Sequence, residues 1–318
     1  MDLTSYTSNL YGRAVNTRSD AYGFPVDEEE MQRLQSQHYM FILLTGGKYP
    51  PEIKKVLESS THGEKRVLDI GCGNGDGCRI RDVARDFPLT ECVAMDLIPL
   101  INTPGQPLNV TSEVHDANLG LQHYYGRFDV VHCRLISSGV KDYRYLFEEI
   151  GRALRPGGLV EFAEVDWYTY DRHFRRIDVS LDGAISPPYW ARFFAHVRSA
   201  IKHSGGDSDA ATYLWQWVSR HPAFERINSR DVWLPAIPGD DQQYSAAAYE
   251  LMKKDVQAFL RSGEPMLRGG GMSEEDFENI RENTLRELHE STEPQYTRLH
   301  CVWALKRADY VTPTQEIN

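Results

Sequence analysis

Two rhythms of apolar residues run along this chain. From Arg66 onward, short apolar runs at 67–70, 92–95, 109–114, 128–133 and 159–164 are separated by helical patterns over about 76–87 and 142–154. Such short runs suit strands buried on both faces, and their alternation with helices predicts a parallel sheet flanked by helices on both sides. The connection 97–108 carries Pro99, Pro104, Gly105 and Pro107, so a loop or a short helix is expected there. Further on, Ser186 and Pro187 open a helix that repeats Trp190, Phe193, Phe194, Val197 and Ile201 on one side, which should cover one sheet face. A helix over 209–219 leads to a strand over 224–234, and a last strand is expected over 296–306.

Two segments lie outside that alternation. Residues 27–45 place Met31, Leu34, His38, Phe41 and Ile42 at helical spacing, an amphipathic helix expected near the sheet's edge. Residues 236–294 hold two helical patterns, one with Tyr249, Met252, Val256 and Phe259, the other with Phe277, Ile280 and Leu288. Ser273 and Asp276 resemble a capping box for the second, and Gly269, Gly270 and Gly271 stand just before it, where the chain bends or moves. This stretch reads as an inserted helical cap, with an ordinary surface excursion as the competing possibility. The expected division is a helical extension over 1–60, a core over 61–235 and 295–310, and the cap over 236–294.

Composition narrows the partners. The 318 residues are 41% hydrophobic and 25% charged, as in a globular protein. A net charge of −11 repels polyanions, so nucleic acid is not an expected partner. The longest apolar run, 39–44, is far below the roughly 20 residues that a membrane-crossing helix needs. Five cysteines without a CxxC pair encode neither a disulfide framework nor a zinc ribbon. Reduced thiols and a cytoplasmic location fit best, with the nucleus as the second choice, and no metal is expected.

The informative string is Val67-Leu68-Asp69-Ile70-Gly71-Cys72-Gly73-Asn74-Gly75, a strand that ends in a glycine-rich turn where a helix opens. Glycines here permit positive φ and close approach of backbone to a ligand. A dinucleotide site wants GxGxxG, with glycine where this chain has Asp76, and that carboxylate would repel a pyrophosphate at the helix start. A ligand without phosphate that carries an ammonium suits Asp69 and the turn better; S-adenosylmethionine is such a ligand. Asp96 ends the next strand, where a carboxylate can accept hydrogen bonds from both ribose hydroxyls. Asp116, followed by Ala117, comes after the third strand, where it either accepts the adenine amino hydrogens or forms a turn.

Together with Phe128-Asp129-Val130-Val131 opening the fourth strand and Leu154-Arg155-Pro156-Gly157-Gly158 before the fifth, these features over about 64–165 resemble the class I S-adenosylmethionine-dependent methyltransferases. The resemblance implies a Rossmann-like α/β fold, a seven-stranded sheet ordered 3-2-1-4-5-7-6 with its last strand antiparallel. Tyr22-Gly23-Phe24-Pro25-Val26-Asp27-Glu28-Glu29-Glu30, with Arg33 and His38, and the stretch around Cys133-Arg134-Leu135 are similar to the fungal LaeA-like branch. That branch usually carries Gly-Thr-Gly-Thr-Gly where this chain has Gly-Cys-Gly-Asn-Gly.

For the cofactor, the resemblance implies that Asp69 orders the turn and faces the methionine ammonium. Gly71, Cys72 and Gly73 supply the turn's contacts, Asp96 and Leu97 meet the ribose, and Asp116 and Ala117 meet the adenine. It also implies that the Cys133 carbonyl holds the ammonium and that the N-terminal segment lids the site, bringing Tyr22 and His38 near. Arg134 binds the methionine carboxylate or a substrate acid, or else pairs on the surface with Asp142. After the fifth strand, Asp166 or His173 could serve as base for an acceptor hydroxyl of high pKa, a solvated loop being the competing possibility for His173. Trp167, Tyr168 and Tyr143 are candidates to stack on a planar acceptor or face the sulfonium.

The reaction implied is in-line displacement at an already activated methyl, for which the protein mainly aligns the reactants in a dry site. A small-molecule acceptor in fungal secondary metabolism, methylated on oxygen rather than nitrogen, is the expected substrate. The competing readings are a LaeA-like regulator that works through protein partners and a cofactor-binding scaffold without transfer.

Overall fold

The computed structural model describes residues 4–61, 63–73, 79–101, 105–239 and 243–310. The chain opens with a hairpin of β1 (Thr7–Leu10) and β2 (Arg13–Asn16), followed by α1 (Glu28–Thr45) and α2 (Pro51–Glu58). Next come β3 (Arg66–Ile70), α3 (Arg79–Asp86), β4 (Glu91–Asp96), β5 (Val110–Val114), β6 (Phe128–Arg134), α4 (Tyr143–Ala153) and β7 (Leu154–Tyr170). After them lie α5 (Tyr189–His203), α6 (Ala210–Arg220), β8 (Phe224–Ile237), α7 (Ala246–Ser262), α8 (Glu264–Gly269), α9 (Glu274–Glu290) and β9 (Gln295–Lys306). None of the described helices is long and apolar enough to cross a membrane.

The sheet runs β5-β4-β3-β6-β7-β9-β8, and β9 is antiparallel to both neighbours. Counted among sheet strands alone, this is the order 3-2-1-4-5-7-6. Central strands are continuous apolar runs because both faces are covered. On one face Leu68, Val131 and Phe162 pack with α4 and α6; on the other Val67, Val130 and Leu159 pack with α2 and α3. The proline-bearing link between β4 and β5 has no helix in its described part, as its composition suggested. The helix predicted from Asp76 is described from Arg79; Asn74, Gly75 and Asp76 lie outside the described residues.

Past the carboxyl ends of the strands, the long β7, β8 and β9 carry a third apolar cluster shared with α1, α5, α7 and α9. Its rings include Trp167, Trp190, Phe193 and Phe194. Helix α9 starts on the capping pattern expected: Ser273 Oγ accepts from the Asp276 amide at 3.0 Å.

As expected of a helix near the sheet's edge, α1 meets the outermost strand, β8. It lies over the strand ends and packs on α7. The cause is polar. Arg33 donates from Nη1 to Asp255 Oδ1 of α7 at 2.7 Å and from Nη2 to Glu30 Oε1 at 2.7 Å. Gln37 donates to Asp255 Oδ2 at 3.1 Å, and the Ser262 hydroxyl donates to Glu30. All three charged groups are buried, so each needs its partners.

Helix α1 begins on Asp27, whose Oδ1 accepts from the Glu30 amide at 3.0 Å while Arg13 Nε donates to its Oδ2 at 2.7 Å. One carboxylate thus caps the helix and ties it to the β1–β2 hairpin. Asp27→Ala is expected to lower the unfolding free energy by about 2 kcal/mol in urea titrations; a loss below about 0.5 kcal/mol would show that hairpin and helix dock without it.

Candidate active site

The site begins where β3 ends. Gly71 (φ 68°) and Cys72 turn back to donate to the Met95 carbonyl of β4 at 2.8 and 3.1 Å. A Cβ at Gly71 would lie 2.3 Å from Ile136 Cγ2, so only glycine lets this turn pass the loop after β6. Gly73 (φ 76°) donates its amide to Asp96 Oδ2 at 2.8 Å, and Ile98 donates to Asp96 Oδ1 at 3.3 Å. Asp96 therefore pins the turn from the neighbouring strand, and burial raises its pKa.

Two further carboxylates shape the opposite wall. Glu164 of β7 accepts from the Ile136 amide at 3.0 Å, the Ser137 amide at 3.3 Å and the Tyr143 hydroxyl at 2.9 Å. Burial nonetheless pushes Glu164 up to about 7. Asp116 Oδ1 accepts from both the backbone amide and the side chain of Asn118, at 2.9 and 2.8 Å. Asn118 in turn donates to the Gly139 carbonyl at 2.9 Å and accepts from the Lys141 amide at 2.8 Å. Asp116 thus forms its turn and faces the cleft at once.

These loops border a cleft open to solvent. Its wall includes Asp69, Gly71, Cys72, Gly73, Asp96, Leu97, Asp116, Ala117, Arg134 and Tyr22. A mainly apolar cavity adjoins it, and Tyr22, Glu30, Leu34, Gln37 and Leu135 line both.

Three expected site residues, His38, Asp166 and His173, stand away from the cleft wall. The Cys133 side chain is fully buried in the apolar core on one face of the sheet while alternation sends Arg134 to the cleft; the expectation for Cys133 concerns its carbonyl, on which side-chain burial has no bearing. His38 lies behind the wall, with Nε2 2.9 Å from Asp82 Oδ2 and Nδ1 3.2 Å from Arg134 Nη2, so it orients Arg134. Burial lowers its pKa, with Asp82 opposing and Arg134 adding to the effect. Asp166 is buried on the far side of β7, accepting from Arg298 Nε at 2.9 Å and from the Tyr170 hydroxyl. His173 is exposed on a loop whose turn is held by Asp171. Neither Asp166 nor His173 reaches the cleft as a base.

Arg134 does not pair with Asp142, which caps α4 by accepting from the Tyr145 amide at 2.8 Å. Tyr143 is core, Tyr168 lies under Arg176 and Arg198, and of the three aromatic candidates Trp167 alone lines the second cavity.

A buried group behind Asp69 has no counterpart in the sequence expectations. Arg79 donates to Glu161 and to the ring of His132, and His132 Nε2 is 4.0 Å from Asp69 Oδ1. Burial lowers His132 to about 3, helped by Arg79. Burial acts to raise Glu161, but the Arg79 charge and His132 outweigh it and hold it at about 2. Asp69 is raised to about 7, by burial first, against the pull of Arg79 and Arg134. The signal is present in the sequence: His132, Glu161 and Glu164 interrupt otherwise apolar strands.

Residues 36–227 match a family model described as a methyltransferase domain. Taken with the sheet order and the glycine turn, the match is decisive: this chain belongs to the class I S-adenosylmethionine-dependent methyltransferases. Within them it is LaeA-like. Over 96% of its length it is 45% identical to the secondary metabolism regulator laeA of Coprinopsis cinerea, of which it covers 76%. It is 21% identical to methyltransferase str2 of Strobilurus tenacellus, over 86% of this chain and 92% of that one. Among solved structures, an S-adenosylmethionine-dependent methyltransferase of Geobacter sulfurreducens aligns over 85% of this chain and 98% of its own at 16% identity, with a TM-score of 0.41.

The raised Asp69 pKa has a sign that can be checked. Above its unfolded value near 3.9, ionisation of Asp69 favours the unfolded chain, so stability is lost as pH rises toward about 7. Asp69→Asn removes this dependence, and its melting temperature relative to the parent is expected to rise between pH 5 and pH 8 in ligand-free protein. A constant or falling difference contradicts the assignment.

Proposed function

We propose that the cleft holds S-adenosylmethionine and that the adjoining cavity holds a small-molecule acceptor, methylated on oxygen rather than nitrogen. The observation that carries this reading is the continuity of the two spaces through five shared residues, with the glycine turn on one side and apolar walls on the other.

The residues present fit the cofactor. Asp96 accepts the Gly73 amide on one oxygen and the Ile98 amide on the other, and a carboxylate has about four acceptor sites, so capacity remains for a ribose diol. Gly71 and Gly73 admit a ligand against bare backbone, and Asp116 with Ala117 stands where the adenine would end. Asp69 offers a carboxylate to an ammonium, and Arg134, steered by His38, offers a guanidinium to a carboxylate. When bound, S-adenosylmethionine supplies an electrophilic methyl on a sulfonium. The chain's part is to align the acceptor with it and to exclude water, for which α1, packed over the strand ends, is the cover.

Calorimetry with S-adenosylhomocysteine tests the cofactor half. Asp96→Ala is expected to weaken binding by about tenfold or more, the worth of charge-assisted hydrogen bonds in a buried site, while His173→Ala leaves it unchanged. Equal affinity in Asp96→Ala and parent contradicts the reading. Turnover against phenols, amines and carboxylic acids tests the acceptor half.

A second reading is favoured by the likeness to a protein named as a regulator of secondary metabolism. A chain that binds the nucleoside, methylates nothing in such a panel and holds a stable protein partner would support it. Cytoplasm and nucleus both suit these readings.

A further inference from the structure

We propose that the apolar cavity selects a flat acceptor that is neutral or cationic and carries a hydrogen-bond donor, and that it rejects carboxylates and other anions. The proposal rests on the methyl-transfer reading and names its acceptor class.

The cavity is lined chiefly by apolar and aromatic side chains with a few polar groups among them, the make-up of small-molecule sites. Ring faces form part of its wall. Trp167 lies nearly parallel to Phe24, with centroids 6.2 Å apart and an interplanar angle of 16°, and 5.3 Å from Phe194. The indole is held where it is by backbone and side chain together. Register between β7 and β9 shifts between Val165 and Thr169, Trp167 takes φ 54°, and its Nε1 donates to Ser137 Oγ at 3.2 Å. A non-glycine residue in the left-handed region is strained, and this strain turns the ring toward the cavity that Phe24 and Phe194 also line.

The charge pattern sets the selectivity. Among the described residues lining the cavity, Arg33 is the one cation, against the carboxylates of Glu30 and Asp255. Its Nε and Nη2 point at Glu30, its Nη1 points at Asp255, and its guanidinium lies 5.7 Å above the Phe259 ring. With both carboxylates ionised the sum is −1. An entering carboxylate would lose its hydration and find the guanidinium already engaged. A hydroxyl or ammonium would find acceptors instead, and the ring faces attract a cation. Glu30 and Gln37 line both spaces, which places these acceptors where a donor on the acceptor would meet the transferred methyl.

The test uses 2-naphthol and 2-naphthoate as matched probes at pH 7.5, titrated by calorimetry into the full chain saturated with S-adenosylhomocysteine. The alcohol is expected to bind about tenfold more tightly or better. Trp167→Ala should weaken it several-fold with S-adenosylhomocysteine affinity unchanged, and Phe194→Leu provides a milder variant if the first folds poorly. Asp255→Asn, which removes one negative charge, should narrow the preference. Equal or tighter binding of the carboxylate, binding of neither probe, or a preference untouched by Asp255→Asn overturns the proposal. S-adenosylhomocysteine heats are read separately: if they are absent while the alcohol still binds, the methyl-transfer reading fails and the cavity's selectivity stands.

Discussion

A carboxylate taken out of water must find donors, and the carboxyl edge of this sheet holds a row of buried and half-buried carboxylates whose donors include backbone amides. Asp96 takes the amides of Gly73 and Ile98, and Glu164 takes those of Ile136 and Ser137. Asp69 accepts from Ile80 at the start of the described part of α3. The glycine turn, the link after β4 and the loop after β6 are therefore each located by an acid on a strand, and sites built on strands are held more precisely than sites on loops. Ionised acids in an apolar setting raise the energy of the ligand-free protein, visible in the pKa values near 7 of Asp69 and Glu164. A bound cation would relieve that strain in charge.

The same principle closes the top of the site. Arg33, Glu30 and Asp255 bind α1 to α7 across 222 positions of sequence, and their burial makes the arrangement intolerant of a missing partner. The N-terminal helix and the segment between β8 and β9 thereby share one apolar cluster with the long strands, and the cavity between them has fixed walls.

Local pattern reveals the strands, the helices and the glycine turn because strands, turns and caps depend on near neighbours; the sheet's order comes from the family resemblance. Asp69, Asp96 and Asp116 are legible for the same reason: each sits at a strand end, where position along the strand suffices. Facing is harder. In a sheet covered on both sides, alternation does not say which side holds the ligand, so sequence alone does not separate Cys133 from Arg134, or Asp166 from Val165 and Trp167. The register shift between Val165 and Thr169 leaves no mark in the apolar pattern. The Arg33–Asp255 pairing and the place of α1 depend on long-range partners, to which spacing is blind. What points there is the presence of charge in apolar runs, as at His132 and Glu161.

The most direct test of the account is a crystal structure of the chain grown with S-adenosylhomocysteine. The account predicts both ribose hydroxyls within hydrogen-bond distance of the Asp96 carboxylate, adenine beside Asp116 and Ala117, and the sulfur turned toward the cavity floored by Trp167. A nucleoside seated elsewhere, or one whose ribose leaves Asp96 untouched, would contradict it.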